Sequence, residues 1–254
     1  MKHTYIFVIA LIVLLLNSCT VDTKNSFHKD NTQSMRMDID MKEFLDMYKT
    51  FANDDDENFE QIIENVKKLP KNWVSVYDAG NTMFSEKVDK IDTDTVRMLK
   101  KLMIQSNYDE NDFKGISIKF DCFDKKNVNL FNSFLNDEQN HFPLPTATLS
   151  EINGKKLTID TDNFSSTIIN KLMKDSFTES KLNDDQLKYI FRLFDINFNN
   201  EVAFENKIKT IEGSHDWINK KDDNTVLINY KLSDFYNKEQ PLKNKDKKII
   251  VTTE

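Results

Sequence analysis

Residues 116–123 read ISIKFDCF and decide the fold class, because apolar and polar side chains alternate along the whole segment. A two-residue period is typical of a strand that buries one face and exposes the other. The positions expected to face the core are Ile116, Ile118, Phe120 and Cys122. The segment therefore predicts a half-buried β-strand that carries Cys122 into the interior.

A second strand signal surrounds the dipeptide Asn153-Gly154, which accepts the positive φ angles of a two-residue hairpin turn. Strand-like segments flank the dipeptide at 146–152 and 155–160. We therefore predict a β-hairpin over residues 146–160, which requires antiparallel pairing.

Amphipathic helices are predicted where apolar residues return every three or four positions. These helices lie at about 41–48, 59–66, 93–105, 164–174 and 184–194. Further strands are expected at 208–212 and 225–232, without a regular alternation of strands and helices. This pattern predicts a single α+β domain over residues 41–242, with helices packed on an antiparallel sheet. Residues 243–254 are charged and then β-like, as in an edge strand or a loose tail.

The composition excludes some classes of function. The chain of 254 residues has a formal net charge of −7 and only 4 glycines. These glycines are Gly80, Gly115, Gly154 and Gly213, which lie too far apart in sequence to build a glycine-rich phosphate-binding loop. A nucleic-acid partner is not expected, because such binding needs a basic surface that releases counterions from phosphates.

The amino terminus has the pattern of an export signal. Lys2 precedes an apolar run over residues 5–16, which is too short to cross a bilayer of about 30 Å as a helix. Residues 1–18 therefore form a predicted signal peptide. Its end, Leu16-Asn17-Ser18-Cys19, resembles the lipobox of bacterial lipoproteins.

The lipobox resemblance implies a lipid anchor in the bacterial cell envelope. In that family the cysteine, here Cys19, carries a diacylglycerol, the signal is removed, and the new amino terminus is often acylated, as with palmitate. Thr20 follows the cysteine where retention in the inner membrane favours aspartate, so the resemblance favours the outer membrane. The lysine- and asparagine-rich composition is similar to surface lipoproteins of AT-rich bacteria such as spirochaetes.

Residues 19–40 are polar and mixed in charge. Such a segment buries too little apolar surface to offset the entropy lost on ordering. It is therefore predicted to be a flexible tether with a reach of roughly 25 Å, which would hold the domain clear of the membrane.

One segment suggests a cation site. Residues 195–206 resemble a degenerate EF-hand loop, in which oxygen ligands at alternate positions bind Ca²⁺. The matching positions are Asp195, Asn197, Asn199 and, through its carbonyl, Glu201. The loop departs from the pattern at Asn200, where glycine is usual, and at Asn206, where glutamate is usual. The alternative is an asparagine-rich turn from helix to strand, and no other cofactor is expected.

Catalytic residues are not assigned. Cys122 could act as a nucleophile with His141 or His215 as its base, but its expected burial argues for an unreactive thiol. Both histidines are expected instead to be surface or capping residues. Adjacent acids at Asp184 and Asp185, or at Asp222 and Asp223, would suit an anchored hydrolase if they faced each other across a cleft. The alternative is that these acids are simply solvated.

The loop NHFPLP at residues 140–145 is apolar without a helical or strand period. Phe142 and Leu144 either pack on the domain or form an exposed contact site. With no catalytic set assigned, we favour a binding module at the membrane surface over an enzyme. Its partner would be an unidentified protein or a macromolecule of the envelope or of a host.

Overall fold

The computed structural model describes residues 19–42, 45, 64, 67–83, 92–136, 151–162, 164, 196–235 and 241–254. The predicted signal peptide and helices at 59–66, 164–174 and 184–194 lie wholly or almost wholly outside these residues. Within the described part of the chain, no helix is long and apolar enough to cross a membrane.

The larger sheet is antiparallel except for one central pair. Its strands, in spatial order, are β10 (Ile218–Lys220), β11 (Thr225–Lys231), β8 (Asn197–Phe204), β1 (Thr20–Phe27), β2 (Gln33–Asp40), β5 (Asp112–Phe123), β4 (Met103–Asp109) and β3 (Val74–Ser75). Strands β1 and β8 pair in parallel, and the other neighbours are antiparallel. The predicted strands at 116–123 and 225–232 correspond to β5 and β11.

The flexible tether predicted for residues 19–40 is wrong, because β1 and β2 lie in the middle of the larger sheet. Side chains of β1 alternate strictly: Val21 and Asn25 are buried, whereas Asp22 and Lys24 are exposed. The two strands pair along their full length, from Thr20 with Asp40 to Phe27 with Gln33. Backbone pairing on both sides of β1 stabilises a segment whose composition alone favours disorder.

A smaller sheet has the strand order β6 (Glu151–Asn153), β7 (Lys156–Asp160), β12 (Lys248–Thr253) and β9 (Ile208–Glu212). Strands β6 and β7 confirm the predicted hairpin, and Gly154 adopts φ 61° in its turn. Strand β12 lies between β7 and β9, with Val251 fully buried. The end of the chain is therefore neither an edge strand nor a loose tail.

Three described helices, α1 (Val76–Met83), α2 (Thr93–Lys101) and α3 (Lys125–Asn136), adjoin the β3–β5 part of the larger sheet. Asp92 caps α2 by accepting hydrogen bonds from the backbone amides of Asp94 and Thr95, each at 3.0 Å. Helix α2 ends earlier than its apolar spacing predicts, because Met103 begins β4. Together with the two sheets these helices confirm the α+β class.

One hydrophobic core contains side chains from both sheets and all three helices. Phe120 is fully buried, stacks on Phe123 with ring centroids 4.1 Å apart, and meets Phe131 of α3 edge-on at 5.4 Å. These aromatic contacts join the C-terminal end of β5 to the helical layer.

Cys122 is exposed, so its predicted place in the core is wrong. Its φ of 52° breaks the two-residue alternation at the end of β5, where the pairing with β2 also shifts register. Phe123 consequently enters the core in its place and is fully buried.

Candidate functional site

The larger sheet packs one face on the core and leaves polar side chains on the other, which we call the polar face. Along β8, Phe198, Asn200 and Val202 are buried, whereas Asn199 is exposed. The same alternation occurs in β1 and β2, and the register places their outward residues beside those of β8. The polar face therefore continues across neighbouring strands.

Six directly opposed side chains form a line across the polar face, which we call the polar row. From β11 to β4 they are Asn229, Asn199, Asp22, Asp38, Ser117 and Gln105. The row contains amides, carboxylates and a hydroxyl, and no apolar side chain. Strands from residues 20–40, 103–123 and 197–231 thus place hydrogen-bonding groups side by side.

Two carboxylates lie next to each other at the centre of the polar row. Asp22 on β1 is directly opposite Asp38 on β2. Asp22 accepts a hydrogen bond from Asn199 Nδ2 at 2.8 Å. Like charges at opposed positions destabilise a sheet unless a cation compensates them, and here Arg36 pairs with Asp38.

A hydrogen-bond chain holds the other side of the row. Arg36 contacts both carboxylate oxygens of Asp38, with Nε 2.9 Å from Oδ2 and Nη2 3.1 Å from Oδ1. Ser117 donates its hydroxyl to Asp38, and Asn107 Nδ2 donates to Ser117 Oγ at 2.8 Å. Gln105 Nε2 in turn donates to Asn107 Oδ1 at 3.2 Å. These contacts fix the carboxylate and amide orientations before any ligand arrives.

Charged side chains border the polar row on one side. Glu201 pairs with Lys221 at 2.8 Å and with Lys24 at 3.1 Å. Hydrogen bonds from Lys221 and then from Lys24 lower the pKa of Glu201, which keeps its carboxylate ionised.

Trp73, which directly precedes β3, adds an aromatic surface to the polar face. Lys119 Nζ lies 4.7 Å from the centre of its ring, and the Arg36 guanidinium carbon lies at 5.8 Å. Both cations project from polar-face positions of β5 and β2. The face thus combines a half-buried ring with cationic donors.

A groove of about 350 Å³ lies over the part of the polar row that runs from β11 to β2. It is lined by Asp22, Thr23, Lys24, Arg36, Asp38, Asn199, Asn200, Glu201, Leu227 and Asn229. Amide and carboxylate oxygens accept hydrogen bonds, whereas amide nitrogens, lysine and arginine donate them. This mixture suits a ligand that has many hydroxyl groups, each able both to donate and to accept.

The EF-hand-like loop predicted at 195–206 is wrong for its described residues, because residues 197–204 form β8. Asn197, Asn199 and Glu201 lie on one face of an extended strand, spread over about 13 Å, instead of surrounding one point. Asp195 lies outside the described residues. Within the described ranges there is no group of three potential His, Cys, Asp or Glu metal ligands.

The residues considered for nucleophilic catalysis have environments opposite to those predicted. Cys122 is exposed, whereas His215 is only 7% exposed and lies against Trp217, with ring centroids 4.8 Å apart. Burial lowers the pKa of His215, and the nearby charges of Asp216 and Asp246 oppose that shift. No hydrogen bond between Cys122 and His215 occurs in the part of the chain that the structure describes.

The acidic pair Asp222 and Asp223 lies in the turn between β10 and β11. Asp222 accepts a hydrogen bond from the Asn224 amide at 2.8 Å, and Asp223 pairs with Lys220 at 2.9 Å. These contacts stabilise the turn and do not form a cleft. The other acidic pair, Asp184 and Asp185, lies outside the described residues, as do His141, Phe142 and Leu144.

Cys19 is half-buried and directly precedes β1. Its carbonyl oxygen accepts a hydrogen bond from the backbone amide of Asn197 at 2.9 Å. The backbone is therefore part of the sheet from the predicted lipidation residue onward.

Sequence reasoning missed Asp22, Asp38 and Trp73. A usable signal was present in β1, where Val21, Thr23, Asn25 and Phe27 alternate with polar residues. Two of these inward residues are themselves polar, so the two-residue period was hidden in a hydrophilic segment.

No family model and no curated protein sequence matches this chain. Among solved structures, it is similar to the folded domain of LppM from Mycobacterium tuberculosis, at 11% identity over 93% of this chain and 90% of that chain. The TM-score is 0.39, a value at which the similarity carries no argument about fold or function.

Proposed function

We propose that this protein is a lipid-anchored binding protein of the bacterial cell envelope. Two features support the proposal: the lipobox-like sequence that ends at Cys19, and the polar row of the larger sheet, whose β11, β8 and β1 members are exposed. The envelope location rests on the lipobox resemblance, and Thr20 after the cysteine favours the outer membrane.

The polar row is the observation that carries the binding function. Hydrogen bonds from Asn199 to Asp22 and from Ser117 to Asp38 orient its carboxylates. Asn229, Asn199 and Asp22 are exposed to solvent. Asp22 opposite Asp38 offers several acceptor oxygens within one short span, and Asn229 and Asn199 offer both donors and acceptors. We infer that the ligand is a glycan, with its hydroxyl groups on the row and a sugar face on Trp73.

The glycan proposal is tested by binding of the soluble domain to immobilised envelope polysaccharides and to a panel of oligosaccharides. The variant Asp22→Ala removes one central acceptor and is expected to weaken binding at least about tenfold, the equivalent of about 1.4 kcal/mol. Unchanged binding by Asp22→Ala would contradict the polar row as the site.

A matched control is Asp121→Ala, which removes an exposed aspartate near the end of β5, about 13 Å along the strand from Ser117 of the row. It is expected to bind like the unmodified protein. Unfolding curves of both variants should match that of the parent, which separates lost binding from lost structure.

The anchor is tested separately with Cys19→Ser. Metabolic labelling with an alkyne analogue of palmitate should mark the parent chain and not the variant, and the variant should leave the membrane fraction. Cys122→Ser is the matched control, since it removes the other thiol and should keep the label. A labelled Cys19→Ser chain would contradict acylation at this residue.

A second candidate function is glycoside hydrolysis, favoured by the direct opposition of Asp22 and Asp38 in the groove. Release of reducing sugar from a bound oligosaccharide, lost in Asp22→Asn, would support an enzyme. Tight binding without release would support the binding protein.

A further inference from the structure

We propose that the tip of the β4–β5 hairpin, residues 109–112, rests on the lipid headgroups of the membrane that carries this protein. The inference builds on the proposed acylation of Cys19. It concerns how the domain stands on that membrane, which the anchor alone does not determine.

No flexible linker separates Cys19, the proposed site of acylation, from the folded domain. Thr20, the residue after Cys19, already begins β1. The Cys19 carbonyl is also held by the Asn197 amide at 2.9 Å. A diacylglycerol on the Cys19 sulfur would therefore draw this end of the sheet to the bilayer, instead of leaving the roughly 25 Å reach of a flexible tether.

The β4–β5 hairpin extends past the level of the anchor. Thr20 pairs with Asp40, and Asp40 pairs with Gly115, so these three residues lie at one height in the sheet. The pairing of β4 with β5 continues beyond Gly115 to Asp109 and Asp112. At about 3.3 Å per residue, the tip lies roughly 10 Å farther toward the membrane than Gly115.

Side-chain contacts hold the β4–β5 hairpin in its position relative to the rest of the domain. The rings of Tyr108 and Phe113 meet edge-on with centroids 5.6 Å apart. The Tyr108 hydroxyl donates to the Lys67 carbonyl at 3.1 Å, and Lys71 Nζ lies 4.2 Å from the same ring. Leu45 and Phe113 form a small hydrophobic cluster separate from the main core, and Tyr108 packs against this cluster.

The charge of the tip selects the kind of lipid surface. Asp109, Glu110 and Asp112 place carboxylates within four residues. Lys42 pairs with Asp109 at 3.4 Å. Carboxylates held within a Debye length of about 8–10 Å are repelled by anionic headgroups, so the tip fits a zwitterionic surface.

The test uses the full acylated chain in vesicles of phosphatidylethanolamine and phosphatidylcholine that contain a headgroup spin label. Cys122→Ser removes the exposed thiol, and Asn111→Cys then carries a fluorophore at the tip. We expect quenching at this position. The matched position is Lys29→Cys, in the β1–β2 turn at the other end of the eight-residue β1. It lies about 26 Å from the level of Thr20 and roughly 36 Å from the tip along the strand direction, so no quenching is expected there.

A second variant keeps the test decisive if the substitution at the tip perturbs the hairpin. A flexible Gly/Ser linker of about twenty residues, inserted between Cys19 and Thr20, should abolish quenching at position 111 while the protein stays in the membrane. An acylated chain with an unquenched tip, or with equal quenching at positions 29 and 111, would overturn the inference alone. A chain without acyl groups on Cys19 would overturn the anchor and the inference together.

Discussion

Asn199 and Asn200 are neighbours on β8 and have opposite surroundings. Asn199 is exposed on the polar face and donates to Asp22, whereas Asn200 is 5% exposed and accepts a hydrogen bond from Asn25 Nδ2 at 3.0 Å. Both residues line the groove, but the Asn199 amide faces solvent, whereas the Asn200 amide is hydrogen-bonded in the interior. Strand phase, and not residue type, separates these two roles in a chain that is rich in asparagine throughout.

The largest difference between the faces is expected at adjacent positions of β5. Phe120→Ala removes a fully buried ring that contacts Phe123 and Phe131, and should lower the free energy of unfolding by about 3–5 kcal/mol. Lys119→Ala, on the polar face, loses the contact with Trp73 and should cost about 1 kcal/mol or less. Urea unfolding measures both, and equal losses would break the distinction between the faces.

An intermediate loss in the free energy of unfolding is expected when the buried amide network is disrupted. Asn25 donates to Asn200, and Gln33 Nε2 donates to Asn25 Oδ1 at 3.5 Å. Asn25→Ala leaves buried partners unsatisfied and should cost about 1–3 kcal/mol. Asn199→Ala is the matched control on the polar face, with an expected change within about 0.5 kcal/mol.

The double variant Asn25→Val with Asn200→Val sharpens this prediction. Removing both partners together leaves fewer unpaired groups than removing one, so the loss in unfolding free energy should be smaller than the sum of the two single losses. A fully additive result would mean that the two amides do not act as a pair.

The smallest effect is a pH dependence of stability from His215. Burial lowers its pKa in the folded protein, while in the unfolded chain the pKa returns to its ordinary value of 6.5. The unfolded chain therefore gains a proton first as the pH falls through that value, and stability decreases until the folded form is also protonated. His215→Gln should flatten the unfolding free energy between about pH 5 and pH 8.

Asp216 gives a natural comparison for the His215 measurement. Hydrogen bonds from the Lys243 amide and from Asn244 lower the pKa of Asp216 below its ordinary 3.8. Its contribution is present above that value and is lost only in more acidic solution, so the two pH windows do not overlap. A slope near neutral pH that survives His215→Gln would assign the effect to another group.

The predictable parts of the fold are those where strand period and apolar character coincide. Ile118 and Phe120 in β5, and Val226, Ile228 and Tyr230 in β11, satisfy both conditions and are buried as expected. The Asn153-Gly154 turn also encodes its own conformation. In these segments the local sequence alone is enough to predict the strand and its buried face.

The unpredicted parts depend on contacts distant in sequence. Thr23, Asn25 and Gln33 are polar yet buried. Because buried positions are expected to be apolar, the sequence of β1 and β2 predicts a flexible tether instead. The candidate site was hidden for the same reason, since the polar row joins Asp22 to Asn229 and exists only once the strands pair. No local motif specifies such a surface.

The parallel pairing of β1 with β8 also has a consequence for folding. Thr20 pairs with Asn197 and Phe27 with Phe204, so this ladder closes a chain segment of about 177 residues. Closing so long a loop costs entropy before any contact is gained, and non-local strand pairing slows folding. We expect residues 19–27 to stay unpaired with β8 until residues 197–204 have been synthesised. If Cys19 is acylated as proposed, the acylating enzymes would act on an open chain, before the sheet encloses their target.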